Sequence, residues 1–216
     1  MHYKELIKEI NEKYNSNKWD TSNLDKIYFN TINIWNEFDK VTKNKVYNMV
    51  VFLNKWKCRI PKKESLKQIN SALINKDVTK FFVKLKNENL ITVDLNDPKI
   101  ICMIKDVFNL FSLKEVGRRK LGSTATSKIM HIINPELFIM LDEAIRKKWG
   151  CNDLDEGYIN FMFRMQIEAK ELIKSFSKEN NIEDVKKIER EICKLCHDDM
   201  RHLTKLIDEY NYSITR

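Results

Sequence analysis

Glycine and proline are scarce in this sequence, which has 4 glycines and 3 prolines in 216 residues. Because these two residue types form most tight turns, an architecture of many short strands is disfavoured and long helices are favoured. Hydrophobic residues make up 43% of the chain, enough to fold around a core. The sequence therefore predicts an all-α fold, a compact multi-helix array.

Apolar residues recur at intervals of three and four along most of the chain, as on the buried face of a helix. The longest such patterns predict helices over about 158–176 and 182–210. Asp97 followed by Pro98 predicts a helix start, because proline fits the first helical position. Residues 90–95 are the one stretch with strand character.

Nothing in the sequence marks an internal repeat, a low-complexity tract or a linker. We therefore expect a single all-helical domain over residues 1–216. An arrangement in two lobes, about 1–96 and 97–216, around a cleft is the alternative.

The charge of the chain points to an anionic partner. The formal net charge is +8 and the isoelectric point is about 9.1. A positive surface attracts nucleic acid or acidic membranes. The alternative is a lysine-rich composition without a specific partner.

The cysteines and the N-terminal residues predict a cytoplasmic protein with reduced thiols. The five cysteines are an odd number, and the first ten residues are charged and amphipathic, unlike a secretory segment. No apolar run approaches the roughly 18 residues that cross a membrane, so we expect no membrane partner.

Residues 117–150 bring together glycines, a proline and several cations. Ser123 or Thr124 is a good N-cap for a helix of about 125–133, and Lys128 then falls near the positive end of that helix. Nearby cations disfavour an ammonium ion, which makes the amine a better nucleophile at neutral pH; they are Arg118, Arg119 and Lys120. The alternative is an exposed lysine on a basic turn.

Asp142 follows a turn at Pro135 and a short apolar run. It precedes a short amphipathic helix that ends at Gly150, so it is a candidate N-cap. Capping alone explains this residue. The functional alternative is a fixed negative charge opposite Lys128, if the turn folds both residues onto one cleft.

This order of residues resembles helix-hairpin-helix DNA glycosylases: a glycine turn, a lysine, a proline turn and a helix-capping aspartate. The matching residues are Gly122, Lys128, Pro135 and Asp142. The resemblance implies that the lysine attacks the sugar C1′ and forms a Schiff base, while the aspartate supports the nucleophile and the developing positive charge. It also implies the glycosylase core as the fold.

The resemblance covers only about 117–150 and has departures. The family's hairpin carries G-x-G-x-K before the lysine, whereas Gly122 is followed here by Ser-Thr-Ala-Thr-Ser. The interval from lysine to aspartate is also shorter than usual, and the four-cysteine cluster of the iron–sulfur branch is lacking. The stretch 127–142 is similar as well to uncharacterised small prokaryotic proteins with this degenerate core.

If the resemblance holds, DNA is the partner and a damaged base leaves the stack to enter an aromatic pocket. The expected phosphate-binding residues are Arg118, Arg119, Lys120, Gly122, Ser123, Arg146 and Lys147. The candidates for the base pocket are His131, Phe138, Trp149, Tyr158 and Phe161. Each of these five side chains is more often a core residue.

Cys193, Cys196 and His197 form a C-x-x-C-H pattern. Haem attachment at such a motif needs an oxidising compartment, and a zinc site needs further ligands from elsewhere in the fold. We therefore interpret these cysteines as structural or incidental and expect no metal and no other cofactor.

Three functions follow from these features. The leading hypothesis is a DNA repair glycosylase, or a glycosylase/AP lyase, that acts on a damaged base such as an oxidised one, with Lys128 as the nucleophile and Asp142 as its partner. The second is a non-catalytic module that binds nucleic acid through the same basic residues. The third is a helical scaffold protein.

Overall fold

Helices dominate the computed structural model, which describes residues 1–15, 21–36, 40–196 and 201–215. The all-α prediction is confirmed. In chain order the elements are α1 (Tyr3–Asn15), α2 (Thr21–Trp35), α3 (Lys43–Lys55), α4 (Lys62–Leu73), α5 (Lys76–Lys84), α6 (Pro98–Ser112), β1 (Glu115–Val116), β2 (Arg119–Lys120), α7 (Gly122–Ile133), α8 (Glu143–Lys148), α9 (Asp155–Asn180), α10 (Val185–Leu195) and α11 (Leu203–Ser213).

Polar side chains begin several helices where the sequence predicts them. The carboxylate of Asp97 accepts a hydrogen bond from the Lys99 amide at 2.8 Å, and Pro98 is the first residue of α6, as predicted. Asp142 caps α8 in the same way and accepts from the Ile145 amide at 2.8 Å. Local side-chain chemistry thus fixes both of these helix starts.

Two predictions of secondary structure are wrong. Residues 90–95 form turns that are held by hydrogen bonds to Asn89, because its short side chain offers the backbone an alternative to a strand. The predicted helix over 182–210 is instead two helices, α10 and α11. The C-cap residue of α10 is Cys196, and α11 starts at Leu203.

The described strands form a small hairpin, in which Glu115 pairs with Lys120 and Val116 with Arg119. Gly117 makes the turn with φ +69°, a left-handed conformation that glycine adopts without strain. A Cβ on Gly117 would lie 3.4 Å from Pro61 Cγ, so the hairpin tip packs closely on the segment before α4.

Helix α7 lies at the centre of the fold. It packs against α2, α3, α6 and α9, and its residues from Ala125 to Ile133 are all buried. Helix α1 packs against α9, α10 and α11, so the first helix belongs with the last ones. The division into two lobes stays a prediction. No described helix is long and apolar enough to cross a membrane.

Glu189 on α10 provides a test of pH dependence. Burial and the neighbouring charge of Glu136 raise the pKa of Glu189 to about 7, against the opposing effect of Lys186. The unfolded chain keeps the ordinary, lower pKa, so the folded protein binds the extra proton and is stabilised as the pH falls from 8 towards 5. We expect Glu189→Gln to be more stable than the wild type at pH 8 and nearly equal to it at pH 5, as measured by urea denaturation. A difference in the free energy of unfolding between the two proteins that is the same at pH 8 and pH 5 would contradict this.

Candidate functional site

Helix α7 begins without the predicted cap. Leu121 is its N-cap residue and makes no side-chain capping bond, so Ser123 or Thr124 as the N-cap is wrong. Gly122 takes φ +80° as the chain leaves the hairpin, and Thr126 Oγ1 donates to the Gly122 carbonyl at 2.8 Å. The turn into α7 therefore follows from the backbone freedom of Gly122. The helix starts earlier than predicted, and Lys128 lies in its second turn.

Lys128 is buried on α7, with 6% of its surface exposed. Its ammonium donates to the Trp56 carbonyl at 3.0 Å and lies 5.7 Å from the centre of the Trp56 ring. Within the described residues it forms no ion pair within 4.0 Å. Lys128 is thus held by the chain just after α3, and the alternative of an exposed lysine is wrong.

Asp142 follows Lys128 closely in the sequence, but its carboxylate makes its contact elsewhere, with the first turn of α8. Ser127 Oγ accepts from the Leu141 amide at 2.9 Å and donates to the Leu141 carbonyl at 3.3 Å. The sequence neighbours of Lys128 and Asp142 are therefore bonded to each other. The Asp142 carboxylate itself caps α8, and within the described residues no ion pair joins it to Lys128.

A cluster of charges on and around α11, four of them buried, lies beside Lys128. Lys205 has 1% of its surface exposed, and its ammonium lies 3.2 Å from Asp208 Oδ2 and 3.0 Å from Glu209 Oε1. Arg201 pairs with Glu209 at 3.1 Å and with Asp25 on α2 at 2.9 Å. We call these five residues the α11 charge cluster. Each charge has an opposite partner, as buried ions require.

Trp56 connects Lys128 to this cluster. The Lys205 ammonium lies 4.5 Å from the centre of the Trp56 ring, so both lysines contact the same indole. Burial raises the pKa of Asp208 to about 6, although the charges of Lys205 and Lys128 act in the opposite direction. Burial opposes the charge of Lys205, yet Glu209 and Asp208 hold its pKa above the ordinary value. Asp208 and Glu209 are an acidic pair that the sequence places on a solvated helix face, and that expectation is wrong because both are buried. The proximity of Asp208 to Lys128 is not visible in the sequence, since the two residues are distant in the chain.

Four of the five candidates for the base pocket are completely buried. His131 Nδ1 lies 2.6 Å from the Phe138 carbonyl, which can only accept, so this nitrogen donates and Nε2 accepts from the Tyr28 hydroxyl at 2.9 Å. Burial lowers the pKa of His131 to about 3, so its ring is neutral at physiological pH. Tyr158 donates to the Ile139 carbonyl at 3.1 Å.

The remaining candidates also make core contacts. Phe138 packs against Phe81 and Phe82, and Phe161 is fully buried. Trp149 is partly buried and donates from its indole nitrogen to Asn211 at 2.8 Å. These contacts are typical of structural residues, and a role of the five side chains in base binding stays a prediction.

The predicted phosphate-binding residues fall into two groups. Arg118, Arg119 and Lys120 are exposed on the hairpin, and Gly122 and Ser123 follow them partly buried. On α8, Arg146 donates to the Cys151 carbonyl at 3.4 Å, and Lys147 pairs with Glu143 at 2.6 Å. Arg146 and Lys147 therefore already have partners on or next to their own helix.

A second basic segment lies against the hairpin, and sequence reasoning missed it. Residues 55–63 read KWKCRIPKK, with five cations in nine residues and no acidic residue. Arg119 Nη2 donates to the Cys58 carbonyl at 3.0 Å and to the Arg59 carbonyl. The alternation of basic and apolar residues is the signal in the sequence that marks this segment.

The cysteines of the C-x-x-C-H pattern are buried. Cys193 donates to the Arg201 carbonyl at 3.2 Å, and burial raises the pKa of Cys196 to about 12. His197 lies outside the described residues. Among the residues that the structure describes, no group of three or more histidine, cysteine, aspartate or glutamate side chains is arranged to hold a metal ion.

Comparison with known proteins assigns no relationship, since no family model, curated protein or solved structure matches the chain.

Proposed function

We propose that this protein is a DNA repair glycosylase or glycosylase/AP lyase, with Lys128 as its nucleophile and the basic hairpin as a contact for DNA phosphates. The observation that carries the proposal is the position of Lys128. Its amine is buried and donates to the carbonyl of Trp56, a residue of the basic segment 55–63, which Arg119 links to the basic hairpin by hydrogen bonds. Its partner is a backbone carbonyl rather than a carboxylate, so attack does not require an ion pair to break.

The chemistry of the proposal uses this amine. At an abasic site the Lys128 nitrogen condenses with the C1′ aldehyde, a C–N bond forms, water leaves, and the product is a Schiff base. The neutral amine is required, so the ammonium must first release a proton. Asp142 is bonded to the Ile145 amide and is the predicted electrostatic partner. Attack also requires the amine to leave the Trp56 carbonyl.

Trapping with borohydride tests the nucleophile. We expect wild-type protein to form a covalent adduct with a duplex that carries an abasic or oxidised site, because borohydride reduces the Schiff base to a stable amine. Lys128→Gln should reduce the adduct to background, whereas Lys174→Gln, an exposed lysine on α9, should leave it unchanged. An adduct that persists in Lys128→Gln, or no adduct with any such duplex, would remove the lyase mechanism.

The rate of base release by Asp142→Asn tests the role of Asp142 separately. This measurement also detects a monofunctional glycosylase, which forms no Schiff base for borohydride to trap. Asparagine caps a helix about as well as aspartate, so α8 should remain intact while the charge is lost. We expect unchanged thermal stability and slower base release. Equal rates of base release in the two proteins would limit Asp142 to its capping role.

A non-catalytic nucleic-acid-binding module is the second candidate. It is favoured by the burial of Lys128 and by its bond to the Trp56 carbonyl, both of which suit a structural lysine. This candidate predicts binding that weakens steeply with salt, no adduct and no base release. Binding and turnover measured on the same duplex therefore separate the two functions.

A further inference from the structure

We propose that residues 55–63 bind the phosphate backbone of double-stranded DNA and, together with the hairpin, form one continuous contact surface. This inference rests on the proposed function for its partner, and it assigns a site that sequence reasoning did not find. The segment runs from the last residue of α3 to the first turn of α4.

The cations of the segment all face solvent. Lys55, Lys57, Arg59, Lys62 and Lys63 are exposed, whereas Ile60 is buried and the other residues between them are partly buried. The alternation sets the apolar side chains against the protein and leaves the positive charges outside. Glu64 and Glu115 are the exposed acids that adjoin this surface in sequence.

The backbone of the segment is held in an unusual shape. Lys57 and Arg59 take left-handed conformations with φ +62° and +51°, which residues with a Cβ rarely adopt. Asn54 stabilises this shape, because its side chain accepts from the Ile60 amide at 2.8 Å and donates to the Ile60 carbonyl at 3.0 Å. The Cys58 amide also donates to the Leu53 carbonyl at 2.9 Å. Two strained basic residues in one ordered loop are a typical feature of a functional site.

The hairpin extends the surface. Arg119 bonds to the Cys58 and Arg59 carbonyls, and Gly117 lies against Pro61. Arg118 and Lys120 are also exposed on the hairpin, so two regions about 60 residues apart in sequence present eight exposed cations, Arg119 included. The Lys62 ammonium donates to the hydroxyl of the exposed Tyr47 at 3.0 Å.

Double-stranded DNA fits this surface better than a membrane does. A duplex presents regularly spaced phosphates that a broad set of cations contacts at once. Membrane binding by a basic surface also uses apolar side chains that enter the lipid. In this segment Ile60 is buried, and Trp56, Cys58 and Pro61 are partly buried against the protein. The segment itself therefore offers charge without apolar groups that could insert, and the exposed Tyr47 beside it is engaged by the Lys62 ammonium.

Fluorescence anisotropy of a labelled duplex of about 20 base pairs, measured over a range of KCl concentrations, tests the inference. Lys57→Asn with Arg59→Asn removes two charges, and asparagine tolerates the left-handed backbone. We expect this variant to bind about tenfold more weakly at low salt, and its slope of log affinity against log salt to become shallower by about 2. Lys62→Gln with Lys63→Gln should act in the same direction, and it removes cations from a helix N-terminus, where they are unfavourable.

The control variant is Lys170→Gln with Lys174→Gln, which removes two exposed lysines from α9 and should leave binding unchanged. Wild-type affinity in both segment variants, with weaker binding in Arg118→Gln with Lys120→Gln, would overturn this inference and leave the proposed function standing. Equal affinity for duplex RNA, or tighter binding to vesicles of acidic phospholipid, would overturn the choice of DNA. A wild-type protein that binds the duplex but gives neither a borohydride-trapped adduct nor base release would overturn the proposed function alone.

Discussion

Lys205→Met is expected to destabilise the protein by about 3–5 kcal/mol, because it leaves buried carboxylates without their cation. Lys205 is completely buried and pairs with both Asp208 and Glu209, and methionine fills a similar volume without charge. Glu209 retains its ion pair with Arg201 in this variant. The larger part of the lost free energy of unfolding should therefore come from the unpaired carboxylate of Asp208. Urea denaturation at pH 8 measures the change in the free energy of unfolding.

Lowering the pH should reduce the destabilisation caused by Lys205→Met. The pKa of Asp208 is raised to about 6 even with Lys205 in place, above its value in the unfolded chain. The folded variant therefore takes up a proton as the pH falls, and its deficit relative to the wild type should be smaller at pH 5 than at pH 8. Lys147→Met is the matched control, since it breaks an exposed pair with Glu143 at the same four-residue spacing and should leave the urea midpoint unchanged. Equal effects of the two variants would show that burial of Lys205 contributes little.

Gly157→Ala is expected to destabilise the protein by about 2–3 kcal/mol, although alanine usually improves a helix by about 1 kcal/mol. Gly157 lies in the first turn of α9, where Asn152 folds back over it. The Asn152 side chain accepts from the Gly157 amide at 3.1 Å, so it serves as a cap for a helix whose N-cap residue, Leu154, provides none. A Cβ on Gly157 would lie 2.5 Å from Asn152 Oδ1 and closer still to the Asn152 carbonyl oxygen.

Gly150→Ala provides the comparison for this effect. Gly150 has φ +62°, and a Cβ there would meet no atom within 4 Å, so only the left-handed backbone opposes alanine. We expect a cost of about 1–2 kcal/mol at Gly150 and a larger one at Gly157. Thermal melts and urea titrations of both variants give the order. A Gly157→Ala protein as stable as the wild type would mean that residues 150–155 move away without cost.

The sequence predicted well those features that depend on neighbouring residues. Scarce glycine and proline predicted the helices, and Asp97 and Asp142 predicted two helix starts. These features follow from periodicity and capping, which act within a few residues. The prediction of a strand over 90–95 is wrong because the Asn89 side chain accepts hydrogen bonds from the Ile91 and Thr92 amides, an interaction that strand propensity does not include.

The site depends on contacts between distant parts of the chain, and there the sequence was a weaker guide. Lys128 was found from its local setting, but its bond to Trp56 spans 72 residues. Asp208 and the segment 55–63 approach it only after the helices pack. The spacing of Lys128 and Asp142 allows a turn to bring them to one cleft, and the Ser127–Leu141 bonds join their sequence neighbours, yet spacing could not give the direction of either side chain.

The packing of α1 has a consequence for synthesis on the ribosome. Leu6 and Ile10 of α1 are buried, and the helix packs against α9, α10 and α11, which are translated much later than α1. The apolar face of α1 therefore stays exposed to solvent while well over 100 further residues are synthesised. During this time chaperones can bind the face, and the nascent chain can aggregate through it. Stalled chains that end before α9 should be captured by holdase chaperones through α1, and a Leu6→Glu change should weaken that capture.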